Sequence, residues 1–98
     1  MTLLHRASVN GHANVAEVSL AKGANIEAKD DVGLTPLHTA GNNGHANVVE
    51  ALLAKGANTE AKDDVGLTPL QWDSLNGHAS VVEVLLAKGA YIEANDDD

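Results

Sequence analysis

Apolar residues along this chain fall in short clusters separated by small and polar ones, at a spacing that suits helices. Val48, Val49, Leu52 and Leu53 stand at i, i+1, i+4 and i+5, forming one apolar stripe of a helix over about Asn47 to Lys55, with Glu50 and Lys55 outside it. Gly56 follows as a stop, and Lys55 in the last turn places a cation where the helix dipole favours it. Upstream, Thr35-Pro36-Leu37-His38 has the form of a helix start. Its Thr35 hydroxyl would act as N-cap, with Pro36 in the first turn, where the missing N–H costs nothing. Gly44 supplies the permissive backbone that ends this shorter helix. From Ala57 to Leu67 the chain turns polar and carries Gly66, which predicts a loop with a tight turn.

The same pattern returns along the whole chain. Gly11-His12 recurs as Gly44-His45 and Gly77-His78, and Lys22-Gly23-Ala24 recurs as Lys55-Gly56-Ala57 and Lys88-Gly89-Ala90, each step being 33 residues. Residues 29–61 and 62–94 differ at nine positions, so 33 − 9 = 24 are identical, as expected of a repeated structural unit. Residues 1–28 carry the pattern without the front of the unit. The chain therefore reads as a single domain over 1–98, with units at about 1–28, 29–61 and 62–94 and a tail at 95–98.

Helix, turn, helix and loop at this period, with GLTPLH, GH, VVEALL and KGA in the most complete unit, resembles the ankyrin repeat over essentially all 98 residues. The resemblance implies an all-α solenoid of helix-turn-helix units joined by β-hairpin loops, with the hairpins roughly perpendicular to the helices and a concave surface between. It also implies a non-catalytic protein-binding module that uses the hairpin tips and the exposed side of the first helices. The matching positions are Lys29, Asp31, Val32, Leu34, Asn42 and Asn43, and one unit later Lys62, Asp64, Val65, Leu67, Leu75 and Asn76. Four of these, Val32, Leu34, Val65 and Leu67, are apolar where exposure is expected. A greasy strip within an acidic rim suits a partner with basic and apolar groups. The rival reading is structural: an uncapped stack buries its ends by end-to-end association or by exchange of a repeat between copies. Copies this similar are also compatible with recent duplication, or with an engineered or excised scaffold that has no partner of its own.

Departures from the period single out particular residues. Unit one starts at Met1, has Leu3 where Pro36 and Pro69 stand, and so predicts a frayed start. Ala16 and Ser19 replace Val49 and Leu52, so Ser19 is either a crude cap facing water or a packing defect. In unit three Gln71-Trp72-Asp73-Ser74-Leu75 replaces His38-Thr39-Ala40-Gly41-Asn42. Asp73 stands where the family resemblance implies a small apolar residue close to the neighbouring repeat. An unpaired carboxylate there would be costly, which predicts that this side of unit three faces solvent. Trp72 is either an exposed binding anchor or a filler of the space that Thr39 leaves in unit two. The closing Asn95-Asp96-Asp97-Asp98 reads as the beginning of a further hairpin and is expected to be disordered.

Composition narrows the picture further. Apolar residues are 44% of the chain, almost all Ala, Val and Leu, with no Phe, and Trp72 and Tyr91 are the only aromatics; this suits thin helical layers. Six basic against fourteen acidic residues give a net charge of −8, which argues against nucleic acid and anionic membrane surfaces as partners. The absence of cysteine removes disulfides and thiolate chemistry. Met1 to Arg6 lacks the apolar run of a signal peptide, and an intracellular, cytoplasmic setting is the most compatible one.

The sequence offers little for chemistry. His12, His45 and His78 occupy equivalent places in successive units, and packed helices lie about 8–10 Å apart, too far for such a column to share one ion. For His5 and His38 the resemblance implies a hydrogen-bonding role that links loops and helix, and Gln71 in unit three can still donate and accept. The pairs Asp30-Asp31 and Asp63-Asp64, and Asp96-Asp97-Asp98, lack the alternating ligands of a calcium loop and read as a solvated rim. The glycines form no phosphate-binding motif, and Ser8, Ser74 and Ser80 lack a nucleophile context. No catalytic residue, metal ligand or cofactor site is therefore assigned.

Overall fold

The computed structural model describes residues 1–90. Within them lie six helices in three pairs: α1 (Leu3–Asn10) and α2 (Ala13–Ala21), α3 (Pro36–Asn42) and α4 (Ala46–Ala54), α5 (Pro69–Asn76) and α6 (Ala79–Ala87). Each first helix begins on a threonine, Thr2, Thr35 or Thr68, whose hydroxyl accepts the backbone N–H of His5, His38 or Gln71. In α3 and α5 the side chain at that third position returns the bond, closing a reciprocal cap on each helix start. The start of α1 is thus capped by Thr2 and is not frayed, because the hydroxyl does its work without a proline behind it. At the far end, Gly11 and Gly77 leave their helices in the left-handed conformation, with φ of 75° and 73°, which a side chain would strain.

The pairs stack in register. First helices form one layer, α1 on α3 on α5, and second helices another, α2 on α4 on α6. Between the layers runs a thin core of Leu4, Leu37 and Leu70 with Val48, Val49, Leu52, Val81 and Leu85, all buried. At the register of Leu52 and Leu85, Ser19 is buried too, at 7% exposure, and its hydroxyl has no partner. It is therefore not a water-facing cap: repeat one has lost apolar bulk at a covered position.

No β-strand occurs among the described residues, so the loops joining the pairs are not the β-hairpins that the resemblance implied. Each is a tight turn. Asp30 N–H donates to the Leu34 carbonyl (3.0 Å) and Gly33 N–H to the Asp30 carbonyl (3.1 Å); Asp63, Leu67 and Gly66 repeat this at 3.1 and 3.0 Å. So short a closure leaves no length for a ladder, and the two tips share the backbone bond from Asp64 N–H to the Val32 carbonyl (3.2 Å). The tail at 95–98, with its expected disorder, lies outside the described residues.

Histidines stitch the repeats together. His5 Nε2 lies 3.0 Å from the Leu34 carbonyl and His38 Nε2 2.8 Å from that of Leu67, reaching forward to the next repeat's turn. His45 Nε2 lies 2.8 Å from the Val9 carbonyl and His78 Nε2 3.1 Å from that of Asn42, reaching back to the preceding repeat. A carbonyl can only accept, so Nε2 carries the proton in each ring. In His38 the other nitrogen, Nδ1, is then free to accept Thr35 N–H (3.2 Å). Burial favours this neutral form and holds the His38 pKa below its ordinary 6.5.

His38→Ala should lower the unfolding free energy by about 2–4 kcal/mol, since two buried groups lose their partner. His38→Gln, which copies Gln71, keeps an acceptor for Thr35 N–H and should cost about half as much. A group whose folded pKa is depressed contributes stability above its unfolded value that is lost as pH falls. The advantage of wild type over His38→Gln should therefore shrink below pH 6.5, as urea titrations across pH would show.

Candidate functional site

The turns that carry the expected binding residues are built around one carboxylate each. Asp30 Oδ1 accepts Val32 N–H (3.0 Å) and Leu34 N–H (2.9 Å), and Asp63 Oδ1 accepts Val65 N–H (3.1 Å) and Leu67 N–H (2.9 Å). Burial alone would raise the Asp63 carboxyl, but the bonds from Leu67 N–H, the Trp72 indole and Val65 N–H outweigh it and hold the pKa below 3.8. The first acid of each Asp-Asp pair is thus a turn organiser and not part of a solvated rim. The spacing Asp-x-x-Gly in Asp30 to Gly33 and Asp63 to Gly66 is the signal that could have revealed it. Only the second acids, Asp31 and Asp64, remain exposed.

With their partners turned inward, these turns push specific side chains outward. Val32 is 52% exposed and Val65 70%, while Leu34 and Leu67 are half-buried with their carbonyls taken by His5 and His38. The apolar strip is therefore narrower at the tips than the sequence implied. The Asp64 side chain and backbone lie against Gly33, bringing one tip onto the next. Lys29 is exposed and its Nζ donates to the Lys62 carbonyl (3.3 Å), while the Lys62 side chain is half-buried.

The first helices supply the rest of the surface. Asn43 and Asn76 are exposed and Asn42 half-buried; Asn43 Nδ2 donates to the Thr39 carbonyl at the end of α3, and Asn76 Nδ2 lies 3.5 Å from Asn42 Oδ1. Leu75, in place of Asn42 one repeat later, is 71% exposed on α5. Trp72 is half-buried, and its indole donates to Asp63 Oδ2 at 2.6 Å. It is neither a free anchor nor a plain filler: it ties α5 to its own turn and leaves part of the ring at the surface.

Asp73 departs furthest from expectation. It is fully buried, neither carboxylate oxygen has a partner, and its pKa is pushed up to about 7 by desolvation. Asp73 faces the preceding repeat and not solvent: a Cβ placed on Gly41 of α3 would come within 2.5 Å of its Oδ2. One joint earlier the same two registers hold Ser8 and Ala40. The larger side chain on α5 is accommodated by the smaller residue on α3.

A family model described as ankyrin repeats (3 copies) matches residues 2–96. No curated protein matches the chain. No helix among the described residues is long and apolar enough to cross a membrane.

The Asp73 carboxyl generates a pH test. Its folded pKa lies above the unfolded 3.8, so between about pH 4 and 7 the folded chain holds a proton that the unfolded chain has released, and stability falls as pH rises through that window. Asp73→Ala, the residue of Ala7 and Ala40, should stabilise by about 1–3 kcal/mol at pH 8 and by much less at pH 4. Gly41→Ala should destabilise wild type and be tolerated beside Asp73→Ala, a coupling that a thermal double-mutant cycle would detect. Independent effects would show that the two residues do not share the joint.

Proposed function

The chain belongs to the ankyrin-repeat family, and we propose that it works as a non-catalytic module that binds a protein partner across the turn tips and the exposed side of α3 and α5. Ankyrin repeats are generally protein–protein interaction modules. The observation that carries the finer reading is the exposure of three large apolar side chains, Val32 and Val65 at successive tips and Leu75 on α5, with the exposed carboxylates of Asp31 and Asp64 next to the valines. Apolar tips with an acidic flank select a partner that offers apolar side chains next to Lys or Arg. The scaffold beneath is fixed by Asp30, Asp63 and the histidine bonds, so the surface is held ready and little ordering entropy is lost on binding.

The test is a quantitative pull-down with the chain as bait, followed by titration of the captured protein. Val32→Asp with Val65→Asp should weaken binding at least about tenfold, the loss of roughly 1.4 kcal/mol. The valines are preferable to Leu34 and Leu67, whose half-buried side chains would confuse a binding loss with a folding one. Asp31→Lys with Asp64→Lys should lower the association rate and remove part of its salt dependence. Unchanged affinity in both variants, with native circular dichroism, would move the interface elsewhere.

A further inference from the structure

The stack contains two internal joints, and both use the same registers. On the side facing the preceding repeat, Val48 and Val81 are 0% and 1% exposed, and Pro36 and Pro69 are buried. At these registers in repeat one, Val15 is 39% and Leu3 63% exposed, and Val18, beside them on α2, is 60% exposed. At the second joint the preceding repeat covers this face: Gly41 of α3 lies against Asp73 of α5, and Val49 of α4 is 0% exposed. Among the described residues, nothing covers the face of repeat three that corresponds to Gly41 and Val49, its back. Val82 and Leu86 are identical to Val49 and Leu53, and Ser74 repeats Ser8, which is buried in the first joint but exposed here. These residues, with Leu67 and Leu70, line an open groove of about 600 Å³.

The polar latch repeats as well. His45 packs its ring over Gly11 and bonds the Val9 carbonyl, and His78 packs over Gly44 and bonds the Asn42 carbonyl. Continued by one period, the series pairs His12 with Gly77 and with the Leu75 carbonyl. His12 is exposed, Gly77 has open space where the other two glycines meet a ring, and its backbone has the same left-handed φ of 73°.

We propose that the front of repeat one docks on the back of repeat three of a second copy, so that copies add head to tail with His12 latched over Gly77. The joint is heterologous: every addition leaves one free front and one free back on the assembly, and growth is not limited to a dimer. Leu75 lines this groove as well as the partner surface, so the two readings are separated by their variants: Val32 and Val65 are no part of the groove, and Val18 and Ser74 are no part of the tips.

Sedimentation velocity of the full chain from roughly 10 µM to 1 mM, a range suited to contacts of modest area, tests it. Wild type should show a weight-average sedimentation coefficient that rises with concentration through dimers to longer species. Val18→Lys blocks the front and Ser74→Lys the back; both side chains are exposed in the single chain, and both changes lower the net charge, so general repulsion cannot explain a loss. Each variant alone should stay monomeric with native circular dichroism. An equimolar mixture should form dimers and stop there, because one free back meets one free front. His12→Ala should weaken assembly of wild type at least about fivefold, as loss of one buried hydrogen bond predicts. Wild type that remains monomeric throughout, a variant that dimerises alone, or a mixture that does not dimerise would each overturn the proposal; dimerisation by a single variant would indicate instead a symmetric contact of like faces.

Discussion

Everything in this molecule depends on the joint between neighbouring repeats. A pair of helices of seven to nine residues is too short to be stable alone, and each presents apolar side chains on both flanks. Val48, Val49, Leu52, Val81 and Leu85 become buried because one pair lies against the next. The joint is not left to apolar contact alone. Two histidines at each one, His5 and His45 at the first, His38 and His78 at the second, carry hydrogen bonds across it in opposite directions. Apolar packing supplies most of the free energy, and the directional bonds fix register, since a slipped stack would leave buried rings and carbonyls unsatisfied.

Much of this was legible in the sequence because the repeat writes it three times. The helices and caps follow from the recurring Thr-Pro-Leu, the spaced Val and Leu, and the glycines that end the first helices or follow the second ones. What escaped was whatever depends on contact between units. Asp30 and Asp63 looked like members of an acidic rim, since a pair of adjacent aspartates does not show which one turns inward. Leu34 and Leu67 looked exposed because their place in the period says nothing about how closely one tip lies on the next. The hairpins came from the family resemblance and not from the period; the polar segment with Gly66 predicted a tight turn, and the closing bonds of Asp30 with Leu34 and Asp63 with Leu67 leave each loop only that.

The burial of Ser19 and of Asp73 has one cause. Asp73 was expected to face solvent, and Ser19 to be either a water-facing cap or a packing defect; both are covered, so the second alternative holds for Ser19. Stacking overrides the local preference at both places: Ser19 is enclosed because its helix must pack on α4, and Asp73 because α5 must pack on α3. The cost is contained in different ways. A hydroxyl without a partner is a modest loss, whereas a carboxyl is made tolerable by holding its proton and by the space that Gly41 leaves for it. Buried His38 and buried Asp73 both prefer their neutral forms, one stable at high pH and the other at low, so the joint between repeats two and three is under opposing demands from protons.

A division of labour along each turn then explains how so repetitive a chain can carry a specific surface. The inward positions, Asp30 and Asp63 with the carbonyls of Leu34 and Leu67, are committed to hydrogen bonds that hold the turn and tether it to the preceding repeat. Of the outward positions between them, Asp31, Val32 and Val65 are exposed, whereas Asp64, although exposed, also lies against Gly33 of the preceding tip. The identity of Asp31, Val32 and Val65 can change without disturbing the joint, and Leu75, in place of Asn42, is exposed too. Exposed apolar residues at those places bring no benefit to the fold, and Val32 and Val65 at successive tips are best accounted for by what they touch outside it.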